Sequence, residues 1–184
     1  MNQKSKVAKS LLWLSIVSMS MVFAGLTSAY IVRRNSGEWV FFDLPNQFFA
    51  SLFLLLIISF CLHKSHSFLK KNNVTNSFNL CLFSFLLGLG FCYCQVSAWG
   101  SMYSNEIYFA GANSHPAGSY VYVMSVLHLL HVFAGIILLL YNLNQFYRKK
   151  FSSNNTLTLN LTKMYWNFVD ILWIYILVFL LLVK

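Results

Sequence analysis

The chain has 184 residues, of which 58% are hydrophobic and only 9% are charged, whereas about a quarter of the residues of a soluble domain are charged. This composition excludes an ordinary soluble domain and predicts an integral membrane protein. The net charge of +9 is not a sign of nucleic-acid binding, because the Lys and Arg residues cluster in short loops as the positive-inside rule requires. We therefore expect no nucleic-acid partner.

Five apolar segments are each long enough to cross a bilayer as a helix, and no sequence repeat or separate soluble domain is visible. We predict an all-α, multi-pass membrane protein: a bundle of five transmembrane helices that forms one domain over residues 1–184. The predicted spans cover residues 10–32, 47–62, 78–100, 120–141 and 164–183.

The distribution of Lys and Arg predicts the orientation of the bundle. Ten of the 13 such residues lie in the N-terminal segment, the loop after the second span and the loop after the fourth span. The opposite side carries only Arg33, Arg34 and Lys184. Because basic loops stay in the cytoplasm, the N-terminus is predicted to be cytoplasmic and the C-terminus to lie outside.

The first predicted span carries a row of small residues. Ser20, Ala24 and Ser28 are four residues apart, and Gly25 lies beside them. Small residues at this spacing let a second helix approach closely, but they are also common in membrane helices that have no such partner. Both interpretations stay open at this point.

The second and third spans contain few polar residues. Pro45 predicts the start of the second span, because Pro is tolerated in a first helical turn. At the far end of that span, His63 and His66 are predicted to be solvated in the headgroup region. Gln95 is the only strongly polar residue of the third span, and we expect it to hydrogen-bond a neighbouring helix rather than a ligand.

The fourth and fifth spans carry the polar residues that lie deepest in the bilayer. His128 and His131 are three residues apart near the centre of the fourth span, so they share one helix face. Asp170 is the only acid in any predicted span, about 10 Å past the start of the fifth at 1.5 Å per residue. The nearer histidine in depth is His131. A backbone group or a partner subunit is the alternative partner. We predict a structural polar patch where these two spans meet.

These residues do not predict a catalytic or redox site. Two axial haem ligands must approach iron from opposite sides, whereas His128 and His131 share one face and the first, third and fifth spans contain no His. No cluster of His, Cys and carboxylate residues has the spacing of metal ligands. We expect no catalytic residue, no metal and no cofactor in this chain.

Three stretches together resemble subunit III of the haem–copper terminal oxidases. Residues 165–173 read Tyr-Trp-Asn-Phe-Val-Asp-Ile-Leu-Trp and are similar to the family's Tyr-Trp-His-Phe-Val-Asp-x-x-Trp. Residues 128–135 read His-x-x-His-Val-x-x-Gly after an earlier Gly-Ser pair, and residues 23–30 are followed by Asp-Leu-Pro at 43–45. The resemblance covers nearly the whole chain. It corresponds to the short, five-helix bacterial form of the subunit, which lacks two N-terminal helices of the longer form.

The resemblance implies a part in aerobic electron transport in the bacterial inner (plasma) membrane. Such oxidases pass electrons from cytochrome c or quinol to O2, form water and translocate protons. Subunit III is expected to contact subunits I and II, which hold the haem and copper, and to stabilise subunit I. It is also expected to bind phospholipid. Expected lipid or subunit contacts are His128, His131, Asn167, Asp170, Trp166 and Gln95, and expected helix-packing residues are Ser20, Ala24, Gly25, Ser28 and Gly135.

The chain departs from the family pattern at three positions. Met19-Ser20 lies where the family often has a buried Glu, and Ala98 lies where a further Glu is common. Asn167 replaces the usual His and can form hydrogen bonds but cannot titrate. With so few carboxylates, we expect no proton relay within this subunit.

Two other classes of function compete with the oxidase subunit. One is a haem-bearing membrane anchor of a respiratory dehydrogenase, which the distribution of His disfavours. The other is a small transporter, which the lack of internal repeats disfavours.

Overall fold

A computed structural model describes residues 3–34, 39, 42–111, 114–149, 151 and 156–183. Over these residues the regular secondary structure is all α-helix, with no strands, which confirms the predicted fold class. Each helix is long and apolar enough to span a membrane. The five helices are α1 (Gln3–Arg34), α2 (Asn46–Lys70), α3 (Val74–Ser104), α4 (Pro116–Tyr147) and α5 (Leu157–Leu182).

Except at the end of α5, which stops at Leu182 instead of residue 183, the helices extend beyond the predicted spans, because helical hydrogen bonds continue where the apolar run ends. α2 continues past its apolar run to Lys70 and stops before Asn72, whose φ of 60° breaks the helix. His63 is exposed on this extension, but His66 is only 7% exposed. The prediction of a solvated His66 is therefore wrong. Lys150 and Lys184, which enter the charge count, lie outside the described residues.

Four of the helices form a closed ring. α2 packs against α3 and α5, and α4 packs against the same two helices from the other side. Hydrogen bonds between side chains reinforce this ring: Ser65 Oγ lies 2.9 Å from Ser77 Oγ between α2 and α3, and Asn142 Nδ2 donates to Thr162 Oγ1 at 2.6 Å between α4 and α5.

The remaining helix, α1, lies outside the ring and contacts only α4 and α5 among the described helices. Its buried face is a narrow stripe of Phe23, Thr27 and Tyr30, whose spacing places them on one side of a helix. Thr27 Oγ1 lies 2.8 Å from the hydroxyl oxygen of Tyr175 on α5. The Tyr30 ring packs edge-on against Phe179, with the centroids 5.2 Å apart.

The row of small residues on α1 faces away from this contact. Ser20, Ala24, Gly25 and Ser28 are all exposed, and a Cβ atom built on Gly25 would meet no other atom within 4 Å. No described helix of this chain therefore makes the close approach that the spacing allows. The reason is that the buried stripe beginning at Phe23 turns the small residues toward the surroundings.

Candidate functional site

The side chain of Trp166 occupies a slot between α3 and α4. It is fully buried, and each of those helices places a glycine beside it. A Cβ atom on Gly135 would lie only 3.0 Å from the indole ring, and one on Gly88 would lie 3.2 Å from Ile136 and 3.6 Å from Trp166. The indole nitrogen donates to the carbonyl oxygen of Gly135 at 3.3 Å. Gly135 thus lies at a close contact between α4 and α5, where a larger residue would be crowded.

A second bond joins the same two helices one turn away. The Tyr165 hydroxyl donates to the backbone carbonyl oxygen of His131 at 2.8 Å. A carbonyl oxygen has two lone pairs, so it can accept this bond in addition to its helical one. Neighbouring α5 residues, Tyr165 and Trp166, therefore bond the carbonyls of His131 and Gly135, which are one turn apart on α4. Two of the segments that carry the family resemblance, 128–135 and 165–173, therefore pack directly against each other.

The pair between Asp170 and His131, one of the two alternatives that the sequence left open, is not formed. The Asp170 carboxylate is 4% exposed and accepts a hydrogen bond from the hydroxyl of Ser59 on α2. His131 Nδ1 lies 2.7 Å from the carbonyl oxygen of Leu127 in its own helix, and its ring packs against Phe23 of α1. The depth of a residue in a span gives only its position along the helix axis. It could not show that Asp170 faces α2 while the His131 ring lies against α1.

The ring of His128 is a packing element of the core. It is fully buried and stacks on Trp173 of α5, with the centroids 4.7 Å apart and an interplanar angle of 24°. Phe91 of α3 packs edge-on against it at 5.7 Å. The indole nitrogen of Trp173 in turn donates to Ser51 Oγ on α2 at 3.1 Å. This arrangement joins all four helices of the ring at one level.

One of the predicted site residues, Gln95, does not behave as expected. Gln95 is fully buried, but its amide has no hydrogen-bond partner among the described residues, so the expected bond to a neighbouring helix is absent there. Asn167 is exposed on the surface of α5. The single polar patch predicted between the fourth and fifth spans is thus divided among several helix contacts and the outer surface.

The serines of α2 that serve as hydrogen-bond partners were not predicted from the sequence. Ser51 and Ser59 are eight residues apart, which puts them near the same side of a helix at 3.6 residues per turn. They accept from Trp173 and donate to Asp170, respectively. Their position near one side of α2 was the sequence feature that could have indicated this role. Within the described parts of the chain, no group of three or more His, Cys, Asp or Glu residues could hold a metal ion.

Comparison with known proteins identifies the family. The model of the family described as cytochrome c oxidase subunit III matches residues 42–183, which include all of α2 to α5. The chain belongs to the cytochrome c oxidase subunit III family. This result confirms the resemblance to subunit III of the haem–copper oxidases, and it makes the chain a membrane protein of an oxidase complex.

Relatives in this family carry two kinds of name. Cytochrome c oxidase subunit 3 of Thermostichus vulcanus is 26% identical over 167 residues, which cover 86% of this chain and 79% of the relative. Cytochrome bo(3) ubiquinol oxidase subunit 3 of Buchnera aphidicola subsp. Schizaphis graminum is 26% identical over 175 residues, with coverages of 91% and 89%. Quinol oxidase subunit 3 of Bacillus spizizenii is 24% identical over 170 residues, with coverages of 89% and 81%.

Proposed function

We propose that this subunit III is an accessory, non-catalytic subunit of a respiratory oxidase that reduces O2 to water and translocates protons. The observation that carries this proposal is the use of its motif residues for packing. Trp166 and Tyr165 bond the carbonyls of α4, and Trp173 covers His128. Residues so engaged hold helices together, and they are not arranged to bind a haem or a metal ion. Haem and copper would then reside in partner subunits.

The proposed partners are oxidase subunits I and II in the bacterial inner membrane, with the N-terminus of this chain in the cytoplasm. Asn167 supports a protein contact on α5. It is exposed and lies roughly 5 Å past the predicted start of the fifth span at 1.5 Å per residue. Polar side chains inside a span are costly when they face lipid, so they usually face protein. Subunit I would cover this amide, and the contact would stabilise subunit I.

Bound phospholipid is the second part of the proposal. A groove of about 550 Å³ lies between α1 and α4, and its lining includes Gly25, Val32, Arg33 and Tyr120. Small and apolar residues suit an acyl chain. The guanidinium of Arg33 at the end of α1 suits a phosphate, because its planar array of donors matches the phosphate oxygens.

Purification of the isolated chain and of the chain with its partners tests the accessory role. We expect the isolated chain to show no haem absorption band and to contain no stoichiometric copper. From native membranes it should co-purify with a haem-bearing subunit. A spectrum of haem bound by two histidines that disappears in His128→Ala would contradict the proposal and favour a dehydrogenase anchor. His63→Ala is the matched control, because that histidine is exposed at the end of α2.

A further inference from the structure

Two polar side chains in the core have no hydrogen-bond partner among the described residues. Gln95 on α3 and His128 on α4 are both 0% exposed. Both atoms of the amide head group and both ring nitrogens are unpartnered. Buried polar groups in proteins are almost always bonded to protein or to ordered water, because an unmade bond leaves the full cost of desolvation. Since neither side chain reaches the surface, a partner subunit cannot supply these bonds.

The contacts of its neighbours on α3 indicate that Gln95 faces α4. Phe91, Gln95 and Trp99 lie on successive turns of α3, so Gln95 points about midway between the other two at 3.6 residues per turn. Phe91 contacts the ring of His128, and the Trp99 indole nitrogen donates to Ser125 Oγ at 2.9 Å. Both flanking residues thus reach α4, at positions one turn apart. Gln95 lies between them and points at the same stretch of α4.

The other polar side chains at this level already form hydrogen bonds of their own. Ser125 Oγ accepts from Trp99 and donates to the carbonyl of Tyr122. Trp173 covers one face of the His128 ring, and its indole nitrogen is bonded to Ser51. A direct bond between Gln95 and His128 would use one atom of each and leave a ring nitrogen and an amide atom unbonded. Water can act as both donor and acceptor, and it typically makes about three bonds at such sites.

We propose that Gln95 and His128 form a buried binding site for internal water between α3 and α4. The amide and the neutral imidazole each offer a donor and an acceptor to the water. The hydrated pair then links the two helices at the level where Phe91 and Trp173 enclose the histidine. This site is independent of the oxidase role, because it depends only on contacts within the chain.

Solid-state NMR of the full chain in lipid bilayers tests the site by magnetisation transfer from water to nitrogen-labelled His and Trp. We expect the His128 ring N–H to receive magnetisation about as readily as His115, which is exposed. The Trp166 N–H should receive little, because it is fully buried and bonded to Gly135. The His128→Phe spectrum assigns the resonance. A His128 signal as weak as that of Trp166 would overturn the proposal without any further variant.

A pair of matched variants then tests the part played by the amide. Gln95→Leu should reduce the transfer to His128 at least twofold, because the water loses one of its two anchors. Gln47→Leu makes the same chemical change on α2, where the amide bonds Ser101, and should leave the transfer unchanged. Unchanged transfer in Gln95→Leu, or an equal loss in Gln47→Leu, would show that Gln95 does not hold the water.

Discussion

A single hydrogen bond, from Ser59 on α2 to Asp170 on α5, joins the buried acid to a neighbouring helix. Asp170 is the buried acid of the described helices, and one of its oxygens accepts from Ser59 while the other has no partner among the described residues. An ionised carboxylate without partners is very costly in apolar surroundings. The hydrogen bond from Ser59 on α2 therefore contributes to the stability of the subunit.

Replacement of Asp170 distinguishes a structural role from a proton relay. Asp170→Leu should destabilise the subunit by about 1–3 kcal/mol, because Ser59 loses its partner. Asp170→Asn keeps an acceptor oxygen and should retain both the subunit and proton pumping. The measurements are the subunit content of the purified oxidase and the number of protons pumped per electron. Normal assembly with abolished pumping in Asp170→Asn would identify Asp170 as a relay.

Residue pairs such as this one could be predicted only in part from the sequence. The depth of Asp170 and its status as the only acid in a span follow from counting along the chain. Its partner does not, because the rotation of a helix about its axis is set by packing. Lipid and core are both apolar, so hydropathy leaves little trace of that rotation.

At the level of helices, glycine sets the distance between α4 and α5. Trp166 enters a slot that exists because Gly135 and Gly88 lack a Cβ atom. The same absence of a side chain on Gly25 has no packing consequence within the described chain. Glycines of one sequence thus have different roles, and the difference lies in what each one faces.

Adding a single methyl group at these glycines tests this difference. Gly135→Ala should destabilise the subunit by about 1–3 kcal/mol, because overpacking forces a rigid ring to shift. Gly25→Ala should be neutral or stabilising by up to about 1 kcal/mol, since Ala is the better helix former. Thermal unfolding of the subunit in lipid measures both. A smaller ring should relieve the crowding, so Trp166→Phe should recover part of the loss in Gly135→Ala, and equal stability of the two alanine variants would contradict this account.

The existence of all five helices could be predicted, whereas their ends could not. Apolar runs of sufficient length identify spans because only such segments are stable in hydrocarbon. The ends depend on local chain geometry instead. α4 begins at Pro116, where the missing N–H costs nothing, and α2 continues past its apolar run to Lys70.

At the level of the whole molecule, the orientation in the membrane is open to a direct test. On a background without the four native cysteines, Lys70→Cys and Glu106→Cys place a thiol at exposed positions at opposite ends of α3. A membrane-impermeant maleimide added to intact cells should label the thiol at position 106 and leave the one at position 70 unmodified, because basic loops stay inside. Strong labelling at position 70 alone would mean that the orientation is inverted. Labelling of both after lysis is the control for accessibility.

The family could be predicted from the sequence, and the ring of four helices could not. The residues at 165–173 and at 128–135 carried the resemblance, and the structure brings these two segments together. The order of the helices along the chain does not show that α1 lies outside the ring. That arrangement follows from which faces fit closely, and fit depends on side-chain shape rather than on hydrophobicity.

The outlying position of α1 has a consequence for biogenesis. α1 is made first, yet its only packing partners among the described helices are α4 and α5, which are made last. At about 5–20 residues per second, roughly 7 to 30 s pass between the synthesis of α1 and the completion of α5. α2 and α3 are consecutive in the chain and pack against each other, so their contact can form as soon as α3 is made. During that interval α1 can span the bilayer without its native neighbours, with Phe23, Thr27 and Tyr30 open to lipid, to an insertion factor or to another subunit.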